Sequence, residues 1–239
     1  MRPLTPDQIK KLSTQDQQEY LEHLEAIHLA SGKDSFLSFV GMVDCPGAPV
    51  TEPEPEVYYP QRLVPAAHHK LMIDAVQRIA DGTDADIDGV ITLCPPGASK
   101  STYMSVLAPA WLMGRMPGTN MICCSYGQDL ANRFGRRVRT ICRSPEFSTI
   151  MGCGITGDNQ AVDNWSLTNG SDFRAAGMGA AVTGFRANFL GLDDPLKGRE
   201  EADSQVIRDK VYTGMVDDLF TRLKPGGKAF LTLTHWSED

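Results

Sequence analysis

Cys94-Pro95-Pro96-Gly97-Ala98-Ser99-Lys100-Ser101-Thr102 places small residues, a lysine and hydroxyls between an apolar run, Gly89 to Cys94, and the start of a helical pattern. That order suits phosphate binding, because a tight loop lets backbone N–H groups and a helix N-terminus face an anion. In this reading Pro96, Gly97, Ala98, Ser99, Lys100, Ser101 and Thr102 bind ATP. Lys100 reaches the β- and γ-phosphates, and the Ser101 hydroxyl ligates Mg2+. The phosphate-loop string GxxxxGK[ST] is met only in part, since Cys94 and Ser99 stand where it has glycines. A side chain at Ser99 restricts both backbone angles and close approach, with reduced nucleotide affinity as one consequence. The string equally suits an ordinary strand-to-helix turn carrying an exposed lysine.

Phosphate chemistry also needs carboxylates, and Asn188-Phe189-Leu190-Gly191-Leu192-Asp193-Asp194-Pro195 ends an apolar run on two of them. The expectation is a parallel strand adjacent to the phosphate-loop strand, delivering both to the same sheet edge. Asp193 then holds Mg2+ through water, and Asp194 orients or deprotonates the attacking water. A plain Asp-Asp-Pro turn is the alternative. Arg133, Arg136 and Arg137 share one helical face, with Arg139 and Arg143 close by. Such a strip serves either DNA phosphates or simple solvation.

These groups need a scaffold. Gly89 to Cys94, Asn120 to Tyr126, Asn188 to Leu192 and Ala229 to Thr234 are short apolar runs with little polar alternation, as in a parallel sheet covered on both faces. Helical patterns cover Ser101 to Arg115 and Gln128 to Cys142, and a hairpin is predicted from Trp165 to Ala176 around Asn169-Gly170. Gly177 to Gly184 reads as a glycine-rich loop. Upstream, residues 6 to 31 carry an imperfect helical period, and Ala66 to Ala80 predicts another helix. Cys45 to Pro60 holds several prolines and reads as an extended connection. The predicted fold class is α/β, a central, mainly parallel sheet flanked by helices with an N-terminal helical arm. Its predicted division is residues 1–60 as arm and connection, and 61–239 as the phosphate-binding domain.

Bulk properties agree with a single core. The chain has 239 residues, of which 41% are hydrophobic and 22% charged, an ordinary globular balance. A formal charge of −7 argues against a wholly basic nucleic-acid-coating surface, though not against a local strip. Six cysteines without a CxxC pair suit reduced, buried thiols. No apolar run reaches the roughly 20 residues of a membrane span and the N-terminus is polar, so a cytoplasmic site of action without membrane contact is expected.

Taken together the motifs resemble the large terminases of tailed bacteriophages. Pro95 to Ser101 is similar to their PPxxGKS loop, and Leu192 to Lys197 with Arg199 to Ser204 to their IDDPIK-REEA-S segment. Ala110 to Arg115, Ser125-Tyr126, Arg136 to Arg139, Phe173 to Gly177, Val182 to Gly184 and Arg222 to Gly227 extend the likeness, in the family's order, across about residues 65–239. The resemblance implies an additional-strand (ASCE, RecA-like) P-loop NTPase. It further implies an ATPase motor acting as a homo-oligomeric ring on the portal protein, with the small terminase subunit as partner. Such a motor drives double-stranded viral DNA into the procapsid in the host cytoplasm.

The family pattern also assigns roles. Thr234, in Thr234-His235-Trp236, corresponds to the coupling motif, with His where the family has Arg. Arg186 is the candidate arginine finger, displaced by one position from the family's place, and Arg137 and Arg136 are the alternatives for finger or DNA contact. Ser99 replaces the family's glycine, and Gly97 stands where many members carry a basic residue. The family's C-terminal nuclease domain has no counterpart within these residues, so no DNA cleavage is expected. Two other readings compete: a helicase-like P-loop ATPase, and a catalytically weakened assembly module for portal or small terminase.

Overall fold

The computed structural model describes Gln8 and residues 12–47, 61–83, 86–180, 182 and 184–236. Most of the proline-rich connection, together with Ala181 and Thr183 of the glycine-rich loop, therefore lies outside the described residues. Seven strands form one sheet: β1 (Gly89–Leu93), β2 (Asn120–Ser125), β3 (Ile155–Gln160), β4 (Asn164–Leu167), β5 (Asp172–Gly177), β6 (Ala187–Asp193) and β7 (Leu223–Leu233). Their order is β1-β7-β6-β2-β5-β4-β3. Neighbours are parallel from β1 to β5, and the β5-β4 and β4-β3 pairs are antiparallel.

The unbroken apolar runs are explained by two-sided burial. Met121 and Cys123 of β2 join a cluster built around Trp111, Phe36, Phe147 and Phe173, whereas the alternate residues Ile122 and Cys124 join Leu190, Leu192 and Leu219. Successive side chains of a strand point to opposite faces, so both faces must be covered. The first face carries α1 (Thr14–Asp34), α2 (Phe36–Met42), α3 (Ala67–Ala80), α4 (Ala108–Arg115), α5 (Gln128–Cys142) and α6 (Pro145–Met151). On the second lies the segment after α7 (Arg199–Asp203) and α8 (Gln205–Thr213), whose Met215 and Leu219 pack there. Phe36 of α2 stacks on Trp111 with ring centroids 5.1 Å apart. Among the described residues no helix is long and apolar enough to cross a membrane.

Three sequence expectations are corrected. The phosphate-loop strand β1 and the carboxylate strand β6 are not adjacent, because β7 is inserted between them. Apolar runs look alike whatever their neighbours, so strand order depends on how the connections cross and leaves no local trace. β7 begins at Leu223 and not at Ala229: Lys224-Pro225-Gly226-Gly227, a turn signal in sequence, is absorbed as a bulge. Five steps along β7 match two along β6 there, and Gly226 supplies the positive φ of 76° the bulge needs. The helix after the loop opens as a π-helical turn, Thr102–Leu107, before α4. Pro109 cannot donate to the Ser105 carbonyl four residues back and its ring crowds that oxygen; a widened turn accommodates both effects. β3, which the sequence did not single out, completes the antiparallel edge beyond the predicted hairpin.

Candidate functional site

The loop leaving β1 turns through two left-handed residues, Gly97 at φ 82° and Ser99 at φ 56°. Gly97 has open space where a side chain would stand, so its backbone angle, not crowding, calls for glycine. Ser99 adopts the same region with a side chain, at a cost of about 1 to 2 kcal/mol. The N–H of Ala98 closes on the Pro95 carbonyl at 3.3 Å, and those of Thr102 and Tyr103 on the Ser99 carbonyl at 3.0 and 3.3 Å. The loop therefore leads straight into a helix N-terminus, where unpaired N–H groups and the helix dipole favour an anion.

Lys100 is buried, at 6% exposure, which removes the alternative of a surface lysine on an ordinary turn. Its amine donates to Thr234 Oγ1 at 2.6 Å and lies 3.3 Å from Asp194 Oδ2. Thr234 Oγ1 donates in turn to Asp194 Oδ2 at 3.3 Å. Thr234 reaches both because β7, which it follows, runs between β1 and β6. The inserted strand thus supplies the group that spans the gap.

Asp193 sits deeper. Ser101 Oγ donates to its Oδ1 at 2.9 Å, and Ser105 Oγ donates to its Oδ2. Burial raises the Asp193 carboxyl to about 6, and the neighbouring Asp194 adds to the rise, while the two serine hydroxyls and Lys100 oppose it. Asp194 itself is held in a strained backbone, φ 39°, with its N–H donating to the Thr232 carbonyl at 2.8 Å. Its Oδ1 is buried without a hydrogen-bond partner, and so is the hydroxyl of Ser125, which pairs in register with Asp193.

Buried polar atoms left unsatisfied are costly, so these two mark where a polar ligand or water belongs. The donor set fits a magnesium nucleotide: hard oxygens from Ser101 and Asp193, a lysine amine, and a loop of backbone N–H groups. No cluster of three or more His, Cys, Asp or Glu among the described residues is placed to hold a metal alone. A cation here would accordingly depend on phosphate oxygens for much of its coordination. Beside Asp194 and Thr234 an apolar cavity of about 240 Å3 opens, walled by Leu93, Tyr212, Leu233 and Trp236.

A family model described as the terminase large subunit, T4likevirus-type, N-terminal, matches residues 91–238, more than half of the chain. The chain belongs to the terminase large subunit family. Among solved structures, the large terminase of bacteriophage HK97 is similar at TM-score 0.53 and 14% identity, over 85% of this chain and 38% of that one. The large terminase of a thermophilic bacteriophage, solved in complex with ATP-gamma-S, is matched at TM-score 0.38 and 13% identity, over 66% of this chain and 37% of that one. No curated protein matches. This terminase chain thus spans well under half the length of the HK97 enzyme, and the likeness between the two shows the fold alone.

The remaining predicted residues of the terminase chain lie elsewhere. Arg186 immediately precedes β6 and so stands at the end of that strand opposite Asp193, on the order of 20 Å away at about 3.3 Å per residue. Arg136 and Arg137, on α5, line a separate concavity of about 300 Å3 with Arg133, Pro46 and Gly47. Ser105 and Ser125 were missed by sequence reasoning. The spacing of four from Ser101 puts Ser105 on the same helical face, a signal that was available; Ser125 had none, since only strand register places it beside Asp193.

Proposed function

We propose that this chain hydrolyses ATP as the motor part of a large terminase, coupling turnover to translocation of double-stranded viral DNA into the procapsid. The observation that carries the reading is the convergence of Lys100, Asp194 and Thr234, with Ser101 on Asp193 alongside, at the end of the parallel strands and beside the phosphate loop. Mg2+ bound with the nucleotide would neutralise charge that builds on the transferred phosphoryl oxygens.

The chain's own groups supply the rest. The loop's backbone N–H groups that are not already closed on the Pro95 and Ser99 carbonyls, together with the Lys100 amine, hold the phosphates; a phosphate there competes with Asp194 for that amine. Ser101 and Asp193 hold the cation. Asp194, through its unpartnered Oδ1, accepts a hydrogen bond from the attacking water and orients it. Thr234 then registers whether Lys100 is engaged with phosphate, and passes that difference to the residues after β7. Arg186 stands too far from its own chain's Asp193 to act there, so as a finger it would serve a neighbouring subunit in a ring on the portal. The basic concavity on α5 faces DNA phosphates, and the small terminase subunit and portal protein complete the assembly.

The test is ATP turnover, with and without duplex DNA, for the wild type against Lys100→Ala and Asp194→Asn. Turnover in the wild type and a loss of at least about a hundredfold in both variants supports the motor. Three equally inert proteins that still bind portal would instead establish an assembly module.

A further inference from the structure

His69 lies in the first turn of α3, outside the loop and carboxylates that define the site. Its Nδ1 accepts the Ala66 N–H at 3.1 Å, which caps that helix, and its Nε2 lies 3.1 Å from the Ala98 carbonyl oxygen. An imidazole that accepts at Nδ1 carries its proton on Nε2, so Nε2 donates to Ala98. The ring also stacks on Tyr103, with centroids 4.2 Å apart and planes at 22°. Tyr103 is buried in the π-helical turn that follows the loop. His69 therefore grips the loop at its tip and the helix at its start.

The gripped carbonyl belongs to the residue between Gly97 and Ser99, the two left-handed positions of the loop. Ser99 carries a side chain in a region L-residues avoid, and its intrinsic preference is to relax toward ordinary angles. Relaxation would rotate the flanking peptide units and turn the N–H groups of the loop away from a phosphate. α3 is a firm base against which to resist this, since Met72, Ile73, Val76 and Ile79 bury it in the core. Burial also lowers the ring's proton affinity, with His68 acting in the same direction against the Ala98 bond, which keeps the ring in the neutral form this geometry needs.

We infer that His69 is a positioning residue for the phosphate loop, holding Ala98 so that Ser99 keeps its strained backbone and the loop stays shaped for the phosphates of a nucleotide. The inference rests on the nucleotide-binding reading above. It gives this chain its own answer to the serine at position 99: a side chain from a distant helix supplies the restraint that a glycine would not require.

Calorimetric titration of the 239-residue chain with MgATP, for wild type, His69→Ala, His69→Gln, Ser99→Gly and His69→Ala/Ser99→Gly, tests it. His69→Ala is expected to weaken binding roughly tenfold, as a lost anchoring hydrogen bond with partial relaxation of the loop predicts. His69→Gln, whose carboxamide donates to the Ala98 carbonyl, should recover most of this. Ser99→Gly should suppress the defect, so that the double variant binds within about threefold of Ser99→Gly alone, a coupling that loss of helix capping would not produce. Equal weakening by His69→Ala with serine or glycine at position 99, or no weakening at all, overturns the inference while leaving nucleotide binding intact. A wild-type chain that takes up no MgATP overturns both.

Discussion

Asp193 concentrates the electrostatic cost of the site. At 2% exposure its carboxylate is far from water, and burial lifts it from the ordinary 3.8 to about 6. A raised acid means that the folded state binds the proton more tightly than the unfolded chain. Between about pH 4 and pH 6 the native protein therefore holds more protons, and its stability falls as pH rises through that window. In metal-free protein, the melting temperature of Asp193→Asn minus that of wild type should grow as pH goes from about 4 to about 7; a flat difference would count against the burial. In the proposed role Mg2+ would need the ionised carboxylate, and Ser105 holds one of its oxygens while Ser101 holds the other. Ser105→Ala should raise the Mg2+ concentration for half-maximal turnover by roughly tenfold or more, with Ser105→Thr closer to wild type. An unchanged requirement in a magnesium titration would show that the hydroxyl merely fills space. Lys100, Ser101 and both aspartates stood out by residue type and spacing, and Ser105 carried a signal in its spacing from Ser101, whereas Ser125 beside Asp193 and the partners of Thr234 had none.

At the scale of elements, the site depends on how strands end and helices begin. The α5 start is pinned to the end of β5: Gln128 Oε1 accepts the Gly177 N–H at 3.0 Å, and its Nε2 donates to the Ala175 carbonyl at 3.2 Å. Gly177 permits this contact because a Cβ there would stand 2.5 Å from the Gln128 backbone nitrogen. Gly177→Ala should lower stability by about 1 to 3 kcal/mol in urea unfolding, since backbone and not a flexible side chain must yield; a shift below about 0.5 kcal/mol would refute the close packing. Periodicity located the phosphate-loop strand and its helix, because two-sided burial writes a continuous apolar run and the helix an unmistakable start. It could not show the π-helical turn, which arises from the Pro109 ring meeting the preceding turn, nor the bulge that hides half of β7 behind Pro225-Gly226-Gly227.

For the molecule as a whole, charge is unevenly spent: a net −7 surrounds a concavity into which Arg133, Arg136 and Arg137 project. If duplex DNA lies there, Arg136→Ala should weaken binding alike for unrelated sequences and reduce the slope of log affinity against log salt by about 1. Fluorescence anisotropy across a salt series would read this, and an unchanged slope would remove Arg136 from the interface. Arg186 belongs to a different question, that of assembly. Its place at the far end of β6 predicts that Arg186→Ala lowers turnover at protein concentrations where subunits meet, and has no effect in dilute solution. A loss that is independent of concentration would assign it to its own chain's stability.

Residue type, spacing and apolar pattern by themselves determined the α/β class, the tight loop between β1 and its helix, and the paired carboxylates at the end of β6, because each is written in a contiguous segment whose local physics is self-sufficient. Only the tertiary structure decided that β7 enters between β1 and β6, so that Thr234 joins Lys100 to Asp194, that Ser105 reaches Asp193, and that His69 fastens the loop. Those contacts join segments far apart in the chain. They depend on strand order, register and helix placement, which arise from packing the whole core and leave no mark on any one stretch of sequence.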